Sequence, residues 1–247
     1  MTEDDADIRE QSPPARRLVK RAGLHEQVAE RLRRMVLSGD VDAQERLNEV
    51  ALSEALNVSR TPLREAIKLL ASEGLLELLP GRGARVRHYS AAEIFDMFEV
   101  IAALERHATE RAVETMNAAT ANALEATHEA MHRAFQKGDS RGYFRANQKV
   151  HSLIVGAGAS AELMAMHAAI TQKARYGRSS TLTSEGRWQA SLDEHDALML
   201  AIRNRNAEAA GRAMLAHIRN TAKAVAAAET RTETGKAASR GRKGSTS

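Results

Sequence analysis

The segment NVSRTPLREAI, residues 57–67, constrains the fold more than any other part of this chain. Ser59 is one of the residue types that cap helix N-termini, and Pro62 is tolerated in a first helical turn, where no amide donor is needed. Apolar residues then recur at the spacing of one helix face: Leu63, Ala66, Ile67 and Leu70. Basic residues fall four apart on another face: Arg60, Arg64 and Lys68. The pattern predicts a short helix with one packed face and one cationic face.

The segments on either side predict the rest of a winged helix-turn-helix. Residues 24–37 form a first amphipathic helix, and its inward residues are Val28, Leu32, Val36 and Leu37. A second helix starts at Asn48, and its inward residues are Val50, Leu52 and Leu56. After Gly74, residues 75–79 and 84–87 have the pattern of two strands joined by the glycine turn PGRG. The turn carries an arginine at its tip.

Residues 24–89 resemble the winged helix of the GntR family of bacterial transcription regulators, through SRTPLREAI and the later run EGLLELLPGRGARV. The resemblance implies a double-stranded DNA operator as partner. Guanidiniums at a helix N-terminus can bond guanine edges in the major groove, so we expect Arg60 and Arg64 to contact bases. We expect Thr61 and the wing tip to contact the DNA backbone or the minor groove, and Lys68 to contact a phosphate. The wing-tip residues are Gly81, Arg82 and Gly83. FadR-like regulators carry a further arginine where this chain has Val50, so its operator should differ from theirs.

Composition favours a two-domain cytoplasmic protein. The 247 residues exceed one small domain, and a net charge of +4 gives mild support for a polyanionic partner. Zero cysteines exclude disulfides, thiolate metal sites and a cysteine nucleophile. The chain shows no apolar run that could span a bilayer and no signal peptide, so we expect no membrane partner. We expect residues 1–17 to form a flexible arm, and residues 230–247 a disordered basic tail that either solubilises the protein or contacts DNA non-specifically.

The second half predicts an all-α bundle. We expect the DNA-binding domain over residues 18–88, and helices at about 91–117, 120–137, 140–156, 160–177, 186–204 and 206–228. With only 3% aromatic residues, the core must be aliphatic, and such a bundle can enclose a ligand cavity. The predicted fold class is therefore mainly α: an N-terminal winged helix-turn-helix followed by a six-helix bundle.

Residues 91–228 resemble the FCD domain of the FadR and VanR branches of GntR regulators, and six helices place the chain nearer the VanR-like branch. The resemblance rests on residues Ala103-Leu104-Glu105, the run NQKVH at residues 147–151, Asp193-Glu194-His195, Ala201-Ile202, and the segment from Ala209-Ala210 to His217. The resemblance implies an effector-binding and dimerisation domain. It implies a homodimeric repressor that a small carboxylate metabolite releases from DNA.

A divalent metal is implied by the same resemblance. Carried over by position, its ligands are Asn147, His151, His195 and His217. Asn147 and His151 lie four apart, so on a helix they share a face and can offer an oxygen and an imidazole to one ion. The ligand types fit Zn, Mn or Ni. All four ligands are neutral, so an anionic effector can supply the missing charge.

The effector contact departs from the family pattern. Many FCD domains carry an arginine three residues before the Leu-Glu pair, and here that position is Ile101. Arg106 and Arg175 are the candidates to replace it as carboxylate contacts. An arginine on an amphipathic helix can equally be a solvated surface charge.

A rival motif supports a second function class. HEAMH, residues 128–132, satisfies the zinc-protease pattern, with His128 and His132 as zinc ligands and Glu129 as general base. Because it lies on an alanine-rich helix with no strand nearby to bind a peptide, we interpret it as a coincidence. The favoured prediction is a DNA-binding regulator without enzymatic activity; the alternatives are a helical metallohydrolase and a purely structural DNA-bridging protein.

Overall fold

The computed structural model describes residues 23–38, 40–41, 46–176 and 185–243, without the side chains of residues 37, 175, 176, 185, 186, 229 and 231–243. The N-terminal part is a winged helix-turn-helix, as the sequence predicted. Its elements are α1 (Leu24–Ser38), α2 (Glu49–Leu56), α3 (Arg60–Ser72), β1 (Leu76–Leu79) and β2 (Gly83–Val86). A separate aliphatic core holds it together, with Leu32, Leu63, Leu70 and Leu75 wholly buried. The predicted arm lies outside the described residues.

The turn between α2 and α3 is set by local side chains. The Asn48 side chain accepts bonds from the amides of Val50 and Ala51, each at 3.1 Å, and so caps α2. Asn57 ends α2 in the left-handed conformation, with φ 52°. Ser59 occupies the N-cap position of α3, but its hydroxyl makes no capping bond, so the predicted cap is only positional.

Two of the residues predicted to point inward are not confirmed. Val50 was predicted to point inward and is 48% exposed, because Leu52 and Leu56 already fill the inner side of the short helix α2. The side chain of Leu37, also predicted inward, lies outside the described residues.

The wing is a two-stranded antiparallel hairpin. Leu76 pairs with Val86 and Glu77 with Arg85, and the Arg85 and Glu77 side chains form an ion pair at 2.8 Å. Gly81 and Gly83 have φ +66° and +84°, a conformation that glycine adopts without steric cost. The tight turn therefore exposes its tip beside α3.

The second half forms the six helices predicted, with boundaries shifted by a few residues. They are α4 (Ala91–Thr115), α5 (Ala118–Gln136), α6 (Ser140–Gly158), α7 (Ala161–Tyr176), α8 (Glu185–Arg203) and α9 (Ala207–Lys243). A capping box of Ser90 and Glu93 begins α4. Helix α4 packs against α6, α7 and α9, and its Phe98 is at the centre of the core. No described helix is long and apolar enough to cross a membrane.

Helix α9 is longer than predicted. Its backbone is helical to Lys243, whereas the sequence predicted disorder from residue 230. The segment contains alanine, glutamate, lysine and arginine, which are strong helix formers, and it extends an existing helix without a new nucleus. Residues 244–247 of the predicted tail lie outside the described residues.

The two domains meet at the end of α3 and along α7. The Tyr89 hydroxyl donates to the carbonyl of Gly74 at 2.5 Å. Glu73 accepts two bonds from Nη2 of Arg33 at 2.7 and 2.9 Å, and one from Nε2 of Gln172 on α7 at 3.2 Å. Glu73 thus connects α1 and the recognition helix to the bundle.

Candidate metal centre and DNA-binding surface

Three histidines from three helices converge inside the bundle. His151 on α6, His195 on α8 and His217 on α9 are 7%, 0% and 3% exposed. Each offers a ring nitrogen, and these three atoms lie within 4.8 Å of one another. His195 and His217 are therefore fully buried rather than half-buried or facing solvent. The structure brings together the three histidines that the sequence selected.

A hydrogen bond at Nδ1 orients each of the three histidine rings. Nδ1 of His151 lies 2.5 Å from Oε2 of Glu105, and Nδ1 of His217 lies 2.7 Å from Oε2 of Glu194. Nδ1 of His195 lies 2.8 Å from the backbone carbonyl of Ser191. A carbonyl or carboxylate oxygen accepts, so each Nδ1 carries the proton and each Nε2 keeps its lone pair. This is the arrangement of metal-binding histidines oriented by outer partners.

Burial keeps two of these rings uncharged. It lowers the pKa of His195 well below its ordinary value, and the neighbouring His217 and His151 lower it further. Burial also lowers the pKa of His217 to about 4, against the opposing effect of Glu194. Both imidazoles are therefore neutral near pH 7, the form that binds metal.

The site contains polar atoms that lack protein partners. Nε2 of His195 and Oδ1 of Asn147 are buried, and neither has a hydrogen-bond partner among the described residues. Such atoms are rare because each carries a desolvation cost. An imidazole nitrogen and an amide oxygen are both metal ligands. The chemistry of the site therefore fits the divalent ion that the resemblance implies, and Asn147 lines the same cavity as His151 and His217.

Glu105 contacts the candidate metal centre, a role that the sequence did not assign to it. It is buried on α4, and its carboxylate accepts hydrogen bonds from Nδ1 of His151 and from Nε2 of His167, the latter at 2.8 Å. Burial opposes its ionisation, but the adjacent His151 and His167 outweigh this and hold its pKa well below the usual range. The available signal was a carboxylate in line with Ile101 and Phe98 on an otherwise apolar helix face.

Glu194 contacts Nδ1 of His217 in the same way as Glu105 contacts Nδ1 of His151. Its carboxylate also accepts hydrogen bonds from both Nη atoms of Arg187 and from Nδ2 of Asn220, each at 2.9 Å. Burial raises the pKa of Glu194, but these donors and His217 together lower it to about 2. The carboxylate is therefore fixed in its ionised form behind the ring.

His151 and His217 line a cavity of about 1010 Å³, together with Asn147 and Glu105. Its apolar wall includes Phe98, Ile101, Trp188 and Ile218. Arg106 is not among the lining residues: it lies one position beyond the inward Glu105, is turned to the side and pairs with Glu110 at 2.8 Å. This arrangement gives no support to Arg106 as an effector contact. The side chain of Arg175 lies outside the described residues.

Other arginines line the cavity. They are Arg33, Arg141, Arg145 and Arg187. The sequence reasoning passed over them because their convergence depends on how α1, α6 and α8 pack, which no local spacing reveals. Arg33 belongs to the DNA-binding domain, so the cavity reaches the contact between the two domains.

The predicted DNA-contacting residues all lie on the surface. Helix α3 buries Leu63, Ala66, Ile67 and Leu70, as predicted. The exposed residues are Arg60, Thr61, Arg64 and Lys68 on α3, and Gly81, Arg82 and Gly83 on the wing. Nε of Arg64 is held at 2.8 Å by Glu49 at the start of α2, and Nζ of Lys68 lies 2.9 Å from Glu65.

The HEAMH motif lacks the arrangement of a hydrolase. Glu129, the general base of that hypothesis, is 68% exposed and its side chain pairs with Arg133. His128 and His132 instead approach Asp196 on α8.

Comparison with known families agrees with the two-part architecture. Residues 24–86 match "Bacterial regulatory proteins, gntR family", and residues 96–220, about half of the chain, match "FCD domain". The chain belongs to the GntR family. As a GntR protein with an FCD domain, it is a DNA-binding transcriptional regulator and not an enzyme, and the metallohydrolase alternative has no support.

Individual relatives show the same relationship. The Nta operon transcriptional regulator of Aminobacter aminovorans is 30% identical over 176 residues, which cover 70% of this chain and 81% of the relative. The HTH-type transcriptional regulator YdhC of Bacillus subtilis, described as uncharacterized, is 28% identical over 187 residues, covering 75% and 84%. The solved structure of E. coli McbR/YncC has a TM-score of 0.65 at 20% identity and covers 82% of this chain and 96% of that one. The GntR regulator shares the fold of that structure.

Proposed function

We propose that this GntR regulator is a homodimeric repressor that a small carboxylate metabolite releases from its operator, through a metal held in the FCD cavity. The observation that carries the proposal is the buried set of three oriented histidines, two of which, His151 and His217, line a cavity together with Asn147. A divalent ion bound there supplies an electrophilic anchor for a carboxylate. Zinc, manganese and nickel all accept this ligand set.

Local charges favour an anionic effector. The four proposed ligands are neutral. The carboxylates of Glu105 and Glu194 contact Nδ1 of His151 and of His217, and the charge of Arg187 compensates that of Glu194. With a divalent cation, the site then carries about one excess positive charge. A single carboxylate neutralises it, and the wall of Phe98, Ile101 and Trp188 accommodates an apolar body.

The DNA contact follows from the exposed face of α3 and the wing. Arg60 and Arg64 stand at the N-terminal end of α3, where a recognition helix presents side chains to base edges. Glu49 orients Arg64 by its ion pair before DNA is bound. Thr61 and Lys68, with Gly81, Arg82 and Gly83 of the wing, contact the backbone or minor groove.

Helix α7 provides a physical connection between cavity and DNA-binding domain. Its His167 bonds to Glu105, the partner of His151, and its Gln172 bonds to Glu73 at the end of α3. An effector that moves Glu105 or His167 therefore shifts α7 relative to α3. Tenfold weaker operator binding needs only about 1.4 kcal/mol of differential affinity between the two poses.

Dimerisation follows from the size of one module. A single winged helix contacts few base pairs, and strong discrimination against non-specific DNA needs two half-sites. The proposed helical domain, residues 91–228, would hold the two recognition helices at a fixed separation. Light scattering is expected to show a dimer at the concentrations used for operator binding.

The deciding experiment replaces His195 and His217 by alanine together in untagged full-length protein. We expect elemental analysis to show loss of the ion held by the three histidines, so that the variant contains one ion fewer per chain than the wild type. The effector response should also be lost, while the free protein still binds operator DNA. His107→Ala, a change at an exposed histidine of α4, is the matched control and should leave metal content unchanged. A double variant that still releases operator on effector addition would exclude the metal from the mechanism.

A further inference from the structure

A second group of ligand-type side chains lies between α5 and α8, outside the proposed metal centre. Nε2 of His132 lies 2.7 Å from Oδ1 of Asp196, and Nε2 of His128 lies 2.8 Å from the same oxygen. The two histidines are four residues apart on α5, so they share one helix face. Their rings meet edge to face, with centroids 4.8 Å apart.

One of these nitrogens is left without a proper partner. His128 is only 4% exposed, and its Nε2 makes no hydrogen bond with acceptable geometry among the described residues, despite its short distance to Asp196. The same oxygen of Asp196 already accepts a hydrogen bond from Nε2 of His132. A buried imidazole nitrogen therefore points into the cluster without satisfying its bonding capacity.

We propose that His128, His132 and Asp196 form a second divalent metal site, specific for ions of the zinc and nickel class. Two imidazoles at positions i and i+4 plus one carboxylate are a ligand set that such ions prefer, and one ion can satisfy both nitrogens and the oxygen together. His132 and Asp196 are 38% and 45% exposed, so an ion can enter from solvent.

This site is distinct from the cavity. His195 and Asp196 are neighbours on α8, but their side chains contact different helices: His195 lies against His151 and His217, whereas Asp196 lies against α5. An ion at the second site connects α5 to α8 beside the Arg203 and Glu125 ion pair, whose atoms are 2.6 Å apart. It therefore fixes the helix that carries His195.

The second site has a structural or regulatory role rather than a hydrolytic one. Glu129 is turned toward Arg133, so the general base of the zinc-protease pattern is not directed at the cluster. The bound ion would hold α8 in one position relative to α5. This matters for the first site, because the position of α8 sets the position of His195.

The test is a zinc titration of untagged full-length protein in competition with a chromophoric chelator. We expect the wild-type chain to bind two ions. His132→Ala should bind one, with the affinity of the lost site reduced at least tenfold, and Asp196→Asn should do the same while keeping the side-chain shape. The His195→Ala, His217→Ala double variant should retain the second ion. His107→Ala, the control for removal of a surface histidine, should bind two.

The stoichiometry decides between the outcomes. A wild-type chain that binds one ion, lost in the His195 and His217 variant and retained in His132→Ala and Asp196→Asn, would overturn the second site. Two ions that persist in both His132→Ala and Asp196→Asn would overturn it as well. Circular dichroism of each variant, with helix content equal to wild type, shows that a lost ion reflects a lost ligand.

Discussion

Replacing Glu105 by glutamine tests whether the outer carboxylate strengthens the proposed metal centre. The change keeps the volume of a buried side chain that touches His151 and His167. The amide oxygen can still accept from Nδ1 of His151, and the amide NH2 can donate to Nε2 of His167 once that ring changes tautomer. The substitution therefore removes a negative charge and little else.

The expected magnitude follows from the role of this carboxylate. A charged acceptor at Nδ1, 2.5 Å away, increases the electron density at Nε2 and lowers the energy of a cation bound there. Losing such an outer partner weakens metal binding by about 10–100-fold, or about 1.4–2.7 kcal/mol. We expect Glu105→Gln to fall in this range.

The assay is a chelator competition that reports the metal dissociation constant, followed by thermal unfolding of the metal-free proteins. Glu110→Gln is the matched control, because this carboxylate lies on the same helix but pairs with Arg106 outside the cavity. Unchanged metal affinity in Glu105→Gln would refute the assigned role. An equal loss of affinity in Glu110→Gln would show that overall charge, and not Glu105, matters.

Three further predictions concern the DNA contact, the helix packing and the connection between domains. Arg64→Ala should weaken operator binding by about 1–3 kcal/mol and relax one base preference in a binding-site selection, and unchanged operator affinity would contradict the proposed docking. Gly158→Ala should lower the stability of the bundle by about 1–3 kcal/mol in denaturant unfolding, because its Cβ would lie 1.8 Å from the Ala108 carbonyl. Gly156→Ala, with no atom within 4 Å of its Cβ, is the control and should be neutral or slightly stabilising. Gln172→Ala should reduce the effect of the effector on operator affinity by about 0.5–2 kcal/mol without changing metal content, and an unaltered response would remove this contact from the connection.

Local sequence patterns predicted the helices well because each carries its own periodicity and caps. Asn48 and Asn57 delimit α2, and Ser90 with Glu93 begins α4, through bonds between near neighbours in the chain. The end of α9 was harder to predict, because the segment after residue 230 is polar, charged and contains glycine, which is the composition of a disordered tail, although its backbone continues the helix.

The candidate site was predicted only as far as positional resemblance extends. His151, His195 and His217 were selected correctly as a group that converges. The selection of Arg106 gains no support from the structure, because a step of one residue along α4 rotates the side chain by about 100°, and Arg106 lies outside the cavity that Glu105 lines. Asp196 and the HEAMH histidines could not be connected from sequence, since they are separated by more than sixty residues.

Residue type and spacing were enough to predict the two-domain plan, the helix α3 with its basic face, the glycine wing and the group of inner histidines. These properties depend on residue type and spacing within single elements, which act over one or two helical turns. Three further features became visible only in the folded chain: Glu105 and Glu194 orient histidines, Glu73 and Gln172 connect the domains, and Asp196 approaches His128 and His132. Each of these contacts joins different elements, so its existence depends on the packing of the helices, and no single stretch of the chain encodes that packing.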